Sequence, residues 1–436
     1  MSWKRIQLGL IHAAVAMTLV PINSTLNRVM INELAISATL VAILASLPYL
    51  FSPIQVAIGS FSDRHPLLGW RRTPYIAGGL VLCVVGVVVL PRIAFLIADN
   101  FWLGLVLSLL AFGAWGMGYN LATVSYFSLA TELSGKNGRS RTIAAMFFIM
   151  ILSIILTAIS LSRMLDPYTP EILVQSFAIV GGLALLLGLI GIVRLEPRTK
   201  DPVEVESENY SWGQITRSLT GNSQAVLFFI YLTLLLVAIL GQDILLEPFA
   251  AEAFGMSVSA TTRITSIWGT FFLIFLVIGG AADGRISKLT IARIGAWTGI
   301  AAFGLILLSG VSNSQALLYI GVVSLGAATG LSTVSNLSLM LDMTIPGSVG
   351  LFIGAWGMAS AAARLIGNIS SGAIRDTVTG ITGNPVAGYL VVFGLEIGLL
   401  FISLLLLRRI DVSLFRKDAS DGPDIRERVA LAGDAG

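Results

Sequence analysis

Long stretches without a single charged residue constrain this chain more than any other feature. No Asp, Glu, Lys or Arg occurs in 6–27, 34–62, 73–91, 100–131, 142–162, 172–193, 218–242, 264–282, 343–363 or 377–395. A helix crosses a bilayer core with about 20 mostly apolar residues. The run 294–341 is 48 residues long, enough for two helices, with Ser312, Asn313, Ser314 and Gln315 as the turn between them. The runs predict an all-α integral membrane protein of twelve transmembrane helices. These spans lie near 6–31, 36–61, 74–97, 101–131, 142–165, 172–194, 223–248, 258–282, 290–311, 316–341, 348–373 and 386–408. Composition agrees: 56% of the residues are apolar and 12% charged, against roughly 25% charged in a soluble domain.

Basic residues mark the cytoplasmic side. With the N-terminus inside, the cytoplasmic segments hold 21 of the 27 Lys and Arg residues. The six others are Arg28, Arg92, Arg163, Arg263, Arg375 and, within a span, Arg364. Both termini are therefore expected in the cytoplasm. The net charge of +3 reports this topology and gives no reason to expect nucleic-acid binding. The first span starts too early, is too long and lacks the small-residue cleavage site of a removable signal peptide. A single cysteine, Cys83, rules out a disulfide framework.

Two halves of six spans repeat. An N-terminal lobe is expected over 1–195 and a cytoplasmic linker over 196–222. A C-terminal lobe follows over 223–410, and then a disordered polar tail over 411–436. Gly59, Asp63 and Arg64 after span 2 match Gly279, Asp283 and Arg285 after span 8, at an offset near 220. Asn23 and Asn27 in span 1 fall on Asp243 and Glu247 in span 7 at that same 220. Leu121–Leu129 in span 4 matches Leu331–Leu339 in span 10 at an offset of 210, and each match runs on to an acid, Glu132 and Asp342. Parallel repeats of six spans are the signature of the major facilitator fold of two six-helix lobes.

Three segments resemble the PucC/LhaA-type (bacterio)chlorophyll delivery family, a branch of the major facilitator superfamily. They are Thr25-Leu26-Asn27-Arg28-Val29-Met30-Ile31 with Glu33-Leu34, Leu68-Gly69-Trp70-Arg71-Arg72-Thr73-Pro74-Tyr75-Ile76, and Gln242-Asp243 with Leu245-Leu246-Glu247-Pro248. The Asp63-Arg64-His65-Pro66-Leu67 version of the loop is most similar to cyanobacterial members. The loop departs from the superfamily pattern, because Arg71 and Arg72 follow Asp63 by eight residues or more instead of about four. The resemblance implies handling of a large amphipathic pigment, with chlorophyll as cargo in place of a permanently bound cofactor. It also implies chlorophyll-binding membrane proteins as partners and a place in the cytoplasmic or thylakoid membrane.

Polar side chains inside a membrane are costly and are functional candidates by default. The cavity and outer-gate set is Asn23, Asn27, Arg28, Asp243 and Glu247, with Arg28 expected to pair with Asp243 or Glu247. The cytoplasmic-lock set is Gly59, Asp63, Arg64, Arg71, Arg72, Glu132, Asp283 and Arg285. Here Asp63 is expected near the start of span 11, Arg64 or Arg71 near Glu132, and Asp283 near the start of span 5. His12 in span 1 is a candidate axial ligand for a chlorophyll magnesium, against the ordinary reading of a lining histidine. Gln55, Tyr119, Asn120 and Asn336 line a cavity or bond between helices. Arg364 and Glu396 lie within spans 11 and 12, where the arginine needs a partner. The sequence shows no metal cluster, phosphate loop or nucleophile–base arrangement, so an enzyme is not expected. Three functions compete: pigment delivery or chaperoning, proton-coupled transport of a small hydrophobic solute, and a scaffold without a transport cycle.

Overall fold

The computed structural model describes residues 2–55, 58, 61–62, 65–198, 223–282, 284–343 and 349–415. Its regular elements are helices: α1 Ser2–Val20, α2 Ala38–Ala45, α3 Leu47–Leu50, α4 Thr73–Asp99, α5 Phe101–Met164, α6 Pro170–Ile192, α7 Ser223–Leu240, α8 Leu246–Phe254, α9 Val258–Ala282, α10 Lys288–Ser312, α11 Gln315–Asp342, α12 Val349–Thr382 and α13 Pro385–Leu407. A lone bridge joins Leu67 to Trp70 in the loop before α4. Among the described residues, ten helical stretches are long and apolar enough to cross a membrane. The two other expected spans fail that criterion for different reasons. Span 2 is cut into the short α2 and α3, with residues beyond 55 only partly described. Span 11 lies in α12, 34 residues long, whose Gly, Ala and Ser content lowers its hydropathy.

Span 1 does not stay α-helical. After Val20 the chain widens into π-helix over Pro21–Leu26 and again over Val29–Glu33. Pro21 has no N–H to give and its ring crowds the carbonyl four residues back, so an i→i−4 ladder cannot continue through it. The second half breaks at the same place. Pro21 plus the offset of 220 is Gly241, and span 7 interrupts over 241–245, between α7 and α8.

Spans 4 and 5 are joined differently from the expected loop at 132–141. Helical hydrogen bonding runs on through it, giving one 64-residue element. The element cannot be straight. Tyr126 and Phe147 both place their rings 5.2 Å from His12, whereas 21 residues of straight helix span about 31 Å. The chain therefore reverses direction, and Ser134 and Thr142 on either side of the reversal share a 2.7 Å hydroxyl bond.

Two compact units form. The first comprises 1–205, 242–273 and 368–391. In it α4 packs on α5, where Gly79 and Gly118 face each other so tightly that a Cβ on either would meet the other's carbonyl oxygen at 2.7 and 2.6 Å. Trp115 sits fully buried above this crossing and donates from Nε1 to Thr18 at 3.3 Å. The second unit comprises 206–241, 274–367 and 392–436. There α10 pairs with α11, and Phe303 stacks on Phe393 with centroids 6.2 Å apart.

Candidate functional site

Within the first unit, the ends of the helices opposite the basic loops close on one another. Span 1 meets α9 through Thr25 and Thr262, whose hydroxyls lie 3.0 Å apart. Arg28, buried, donates to the carbonyl of Met256 at 3.1 Å. Asn32 donates to Glu252 at 2.9 Å and to the Pro248 carbonyl at 3.4 Å. Ser162, at the end of α5, donates to the Ser259 carbonyl at 2.8 Å. On the other flank, Asp376 of α12 sits at the N-terminus of α2. It accepts from the amides of Ala38 and Thr39 at 3.2 and 2.8 Å, and from the Thr39 hydroxyl at 2.7 Å. Burial opposes the charge on Asp376, but the bonds from Thr39, Arg375 and Ala38 outweigh it and hold the carboxyl below its usual range. The first-turn amides of α2 have no partner within their own helix, which is why an anion fits there.

The expected partner of Arg28 needs correction. Its guanidinium pairs with Glu33, not with Asp243 or Glu247. Glu33 is five residues on, and the π-helical stretch aligns i with i+5. Glu33 is also half exposed, so the pair forms without drying out a second charge. Glu247 instead accepts from Thr265 at 2.6 Å, and Asp243 accepts from Gln242 at 3.3 Å. Asn27 is fully buried and donates to the carbonyl of Asn23, half-buried one turn back, at 3.3 Å. Replacing Arg28 with alanine is expected to loosen this seam by about 1.5–3 kcal/mol, the range for a hydrogen bond involving a charged group. A disulfide between Thr25→Cys and Thr262→Cys, in a Cys83→Ala background, reports it. The disulfide should form more slowly with Arg28→Ala, and the compensating change should lie at Glu33.

At the basic-loop end, Arg71 and Arg72 both reach Glu132, at 3.2 and 3.3 Å. Arg72 also donates to Ser62 at 2.7 Å. The second unit carries the counterpart: Lys288, first residue of α10, pairs at 2.8 Å with Asp342, the acid matched to Glu132. Each repeat thus ties an acid at the end of its fourth span to a base at the start of its third. Arg285 is exposed. Gly59, Asp63, Arg64 and Asp283 lie outside the described residues, as do the expected contacts of Asp63 with the start of span 11. Of the expected neighbours of Asp283 near span 5, Arg139 has no described side chain, whereas Thr142 is described and bonds to Ser134 and Arg5.

Glu196 was placed in the linker by sequence, yet it holds this end together. Its carboxylate accepts from the amides of Arg71 at 2.9 Å, Arg72 at 3.1 Å and Thr73 at 2.7 Å, capping α4. The available signal was an acid directly after span 6, in Leu195-Glu196-Pro197, but nothing in the sequence named its partner.

His12 is buried among the rings of Tyr126, Phe127 and Phe147, at 5.2, 5.4 and 5.2 Å. Its Nδ1 has no hydrogen-bond partner among the described residues. Asn120 bonds to the carbonyls of Pro48 and Gly116 at 2.8 and 2.7 Å and receives Gln55, so both act between helices. Asn336 donates to its own helix at Ser332, 2.7 Å away. Tyr119 is half-buried on α5. Glu396 is buried in α13 and Arg364 half-buried in α12. Among the described residues no three His, Cys, Asp or Glu side chains are grouped to hold a metal ion.

The fold is that of membrane transporters. A crystal structure of a point mutant of the nucleoside transporter NupG superposes with a TM-score of 0.74 at 14% identity, covering 93% of this chain and 99% of that one. The protein is thus an integral membrane protein of the major facilitator fold. It belongs to the PucC family, whose model, described as PUCC protein, matches residues 25–415. Protein PucC of Cereibacter sphaeroides is 30% identical over 421 residues, covering 93% of this chain and 91% of that protein. The bacteriochlorophyll synthase 44.5 kDa chain of Rhodobacter capsulatus is 28% identical over 413 residues, 92% of this chain and 94% of that one.

Proposed function

We propose that this protein delivers chlorophyll, or chaperones chlorophyll-binding membrane proteins during their assembly, and is not itself an enzyme. Family membership over residues 25–415 carries the reading. The bacteriochlorophyll connection in a relative's name supports it. In this reading the chain has twelve spans in two six-span lobes, 1–195 and 223–410, joined by a cytoplasmic linker at 196–222. Both termini are cytoplasmic, and the protein lies in a cytoplasmic or thylakoid membrane. The cytoplasmic lock is the set Gly59, Asp63, Arg64, Arg71, Arg72, Glu132, Asp283 and Arg285. The closed seam around Thr25, Arg28 and Asp376 is the outer gate. The pigment is cargo, and an imidazole with a vacant nitrogen at His12 is its proposed magnesium ligand. The half-exposed Phe127 and Phe147 are the rings a macrocycle displaces to reach it.

The test is direct. Protein purified from a host without pigment is placed in nanodiscs and exposed to chlorophyll. Stoichiometric binding with a shifted absorption maximum is expected, and His12→Phe should remove the signature of imidazole coordination while leaving the protein folded. Absence of pigment binding, together with normal light-harvesting complexes in a deletion strain, would sink the reading. One observation favours a second function, proton-coupled transport of a small hydrophobic solute: the buried acid Glu247. Solute uptake driven by a pH gradient into pigment-free vesicles separates the two.

A further inference from the structure

Glu247 is a buried carboxyl that forms no salt bridge among the described residues. It lies in the first turn of α8 and is 5% exposed. Thr265 donates to its Oε1 at 2.6 Å, while Oε2 has no hydrogen-bond partner among the described residues. The ionisable groups on the surrounding elements are Asp243 and Glu252 on its own segment and Arg28 and Glu33 on span 1. To these are added Arg263 on α9, Arg364, Arg375 and Asp376 on α12, and Tyr389 and Glu396 on α13. Among the described residues no arginine pairs with Glu247, whose one side-chain partner is Thr265. Arg28 is held by Glu33 and the Met256 carbonyl. Arg375 is bound to Asp376 at 2.9 Å and lies 4.9 Å from the centre of the Tyr389 ring. Arg263 points into the exposed surface. Asp243, one turn away on the same segment, carries the same sign as an ionised Glu247.

A carboxylate taken out of water needs a partner charge or several donors. The start of α8 and one hydroxyl return only part of that cost. A carboxylate formed there while the seam is closed is thus left without full compensation. The repeat supports this independently. The position equivalent to Glu247 is Asn27, an amide that is fully buried and whose Oδ1 also lacks a partner among the described residues. The first half fills this place with a permanently neutral group, and the second fills it with one that titrates. Both sit just past a helix interruption, 21–26 in one half and 241–245 in the other. Discontinuous helices of this kind carry the ion and proton sites of transporters.

We propose that Glu247 is a proton-binding site, loaded while the seam between span 1, α8 and α9 is closed and emptied when water enters it. On opening, the carboxyl O–H bond breaks, the proton passes to an entering water molecule, and the carboxylate is left hydrated. Closing reverses the step, so seam closure takes up one proton from the outer side.

Infrared spectroscopy of pigment-free protein in nanodiscs tests this, and its outcome is separate from that of the pigment reading. At neutral pH a protonated-carboxyl band is expected that Glu247→Gln loses, by one carboxyl equivalent per chain. Thr265→Val should move the same band to higher frequency, because the hydrogen bond to its carbonyl is gone. With the seam locked by the Thr25→Cys and Thr262→Cys disulfide in a Cys83→Ala background, the band should persist into alkaline solution. On reduction it should disappear there. The proposal is overturned if Glu247→Gln leaves the neutral-pH band unchanged, or if the locked and reduced forms titrate alike. Should Glu247→Gln not fold, the Thr265→Val shift decides: no shift overturns the proposal.

Discussion

Glu196→Ala is expected to destabilise the protein by about 3 kcal/mol, an effect far out of proportion to a residue that sequence places in a linker. The carboxylate is 8% exposed and spans three consecutive amides, those of Arg71, Arg72 and Thr73. These are donors at the start of α4 with no carbonyl of their own helix to bond. A negative charge there also meets the positive end of the helix. Removing it leaves three amides unpaired in a largely buried place. It also removes a negative charge beside Arg72, whose guanidinium keeps its bonds to Ser62 and Glu132. Glu132 is more than a third exposed, so its bonds to Arg71 and Arg72 are screened and add little. Thermal unfolding of the purified protein measures the loss. Glu196→Gln keeps one acceptor and should fall between the wild type and alanine. Equal unfolding temperatures for all three would show that the cap does not matter.

Gly118→Val should have a still larger effect, loss of the folded protein. A Cβ built on Gly118 lies 2.6 Å from the Gly79 carbonyl oxygen, 2.7 Å from Leu82 Cβ and 2.8 Å from the Cys83 amide nitrogen. Two of these three atoms are backbone and the third is a Cβ, so no side-chain rotation relieves the clash. The helices α4 and α5 must separate, opening the layer that Trp115 covers. Overpacking of a core commonly costs about 1–3 kcal/mol and more where backbone must move. Gly113 on the same helix is the control, since nothing lies within 4 Å of its Cβ position. Gly113→Val should give monodisperse protein on size exclusion, and Gly118→Val should not. If both behave alike, close approach of the backbones is not what the glycine at 118 supplies.

The arrangement of apolar runs and basic residues was enough to read a multi-span membrane protein. The repeat was enough to read the major facilitator fold. Both are properties of position along the chain: a bilayer demands a fixed length of uncharged helix, and duplication leaves residues at a fixed offset. The same logic found Glu132 and Asp342 as matched acids, and Asn27 and Glu247 as matched positions. What sequence could not supply was pairing. Arg28 chose Glu33 because π-helical geometry at Pro21 and beyond realigned its neighbours, and no periodicity rule for an α-helix anticipates that. The helix carried through 132–141 was hidden as well, because polar residues at a turn look alike whether or not their backbone bonds continue. Glu196 became a cap only when the chain brought it back to α4, more than 120 residues earlier in sequence. Length, sidedness and repetition are written into the order of residues. Which charge meets which donor is decided by distances that exist only after the helices pack.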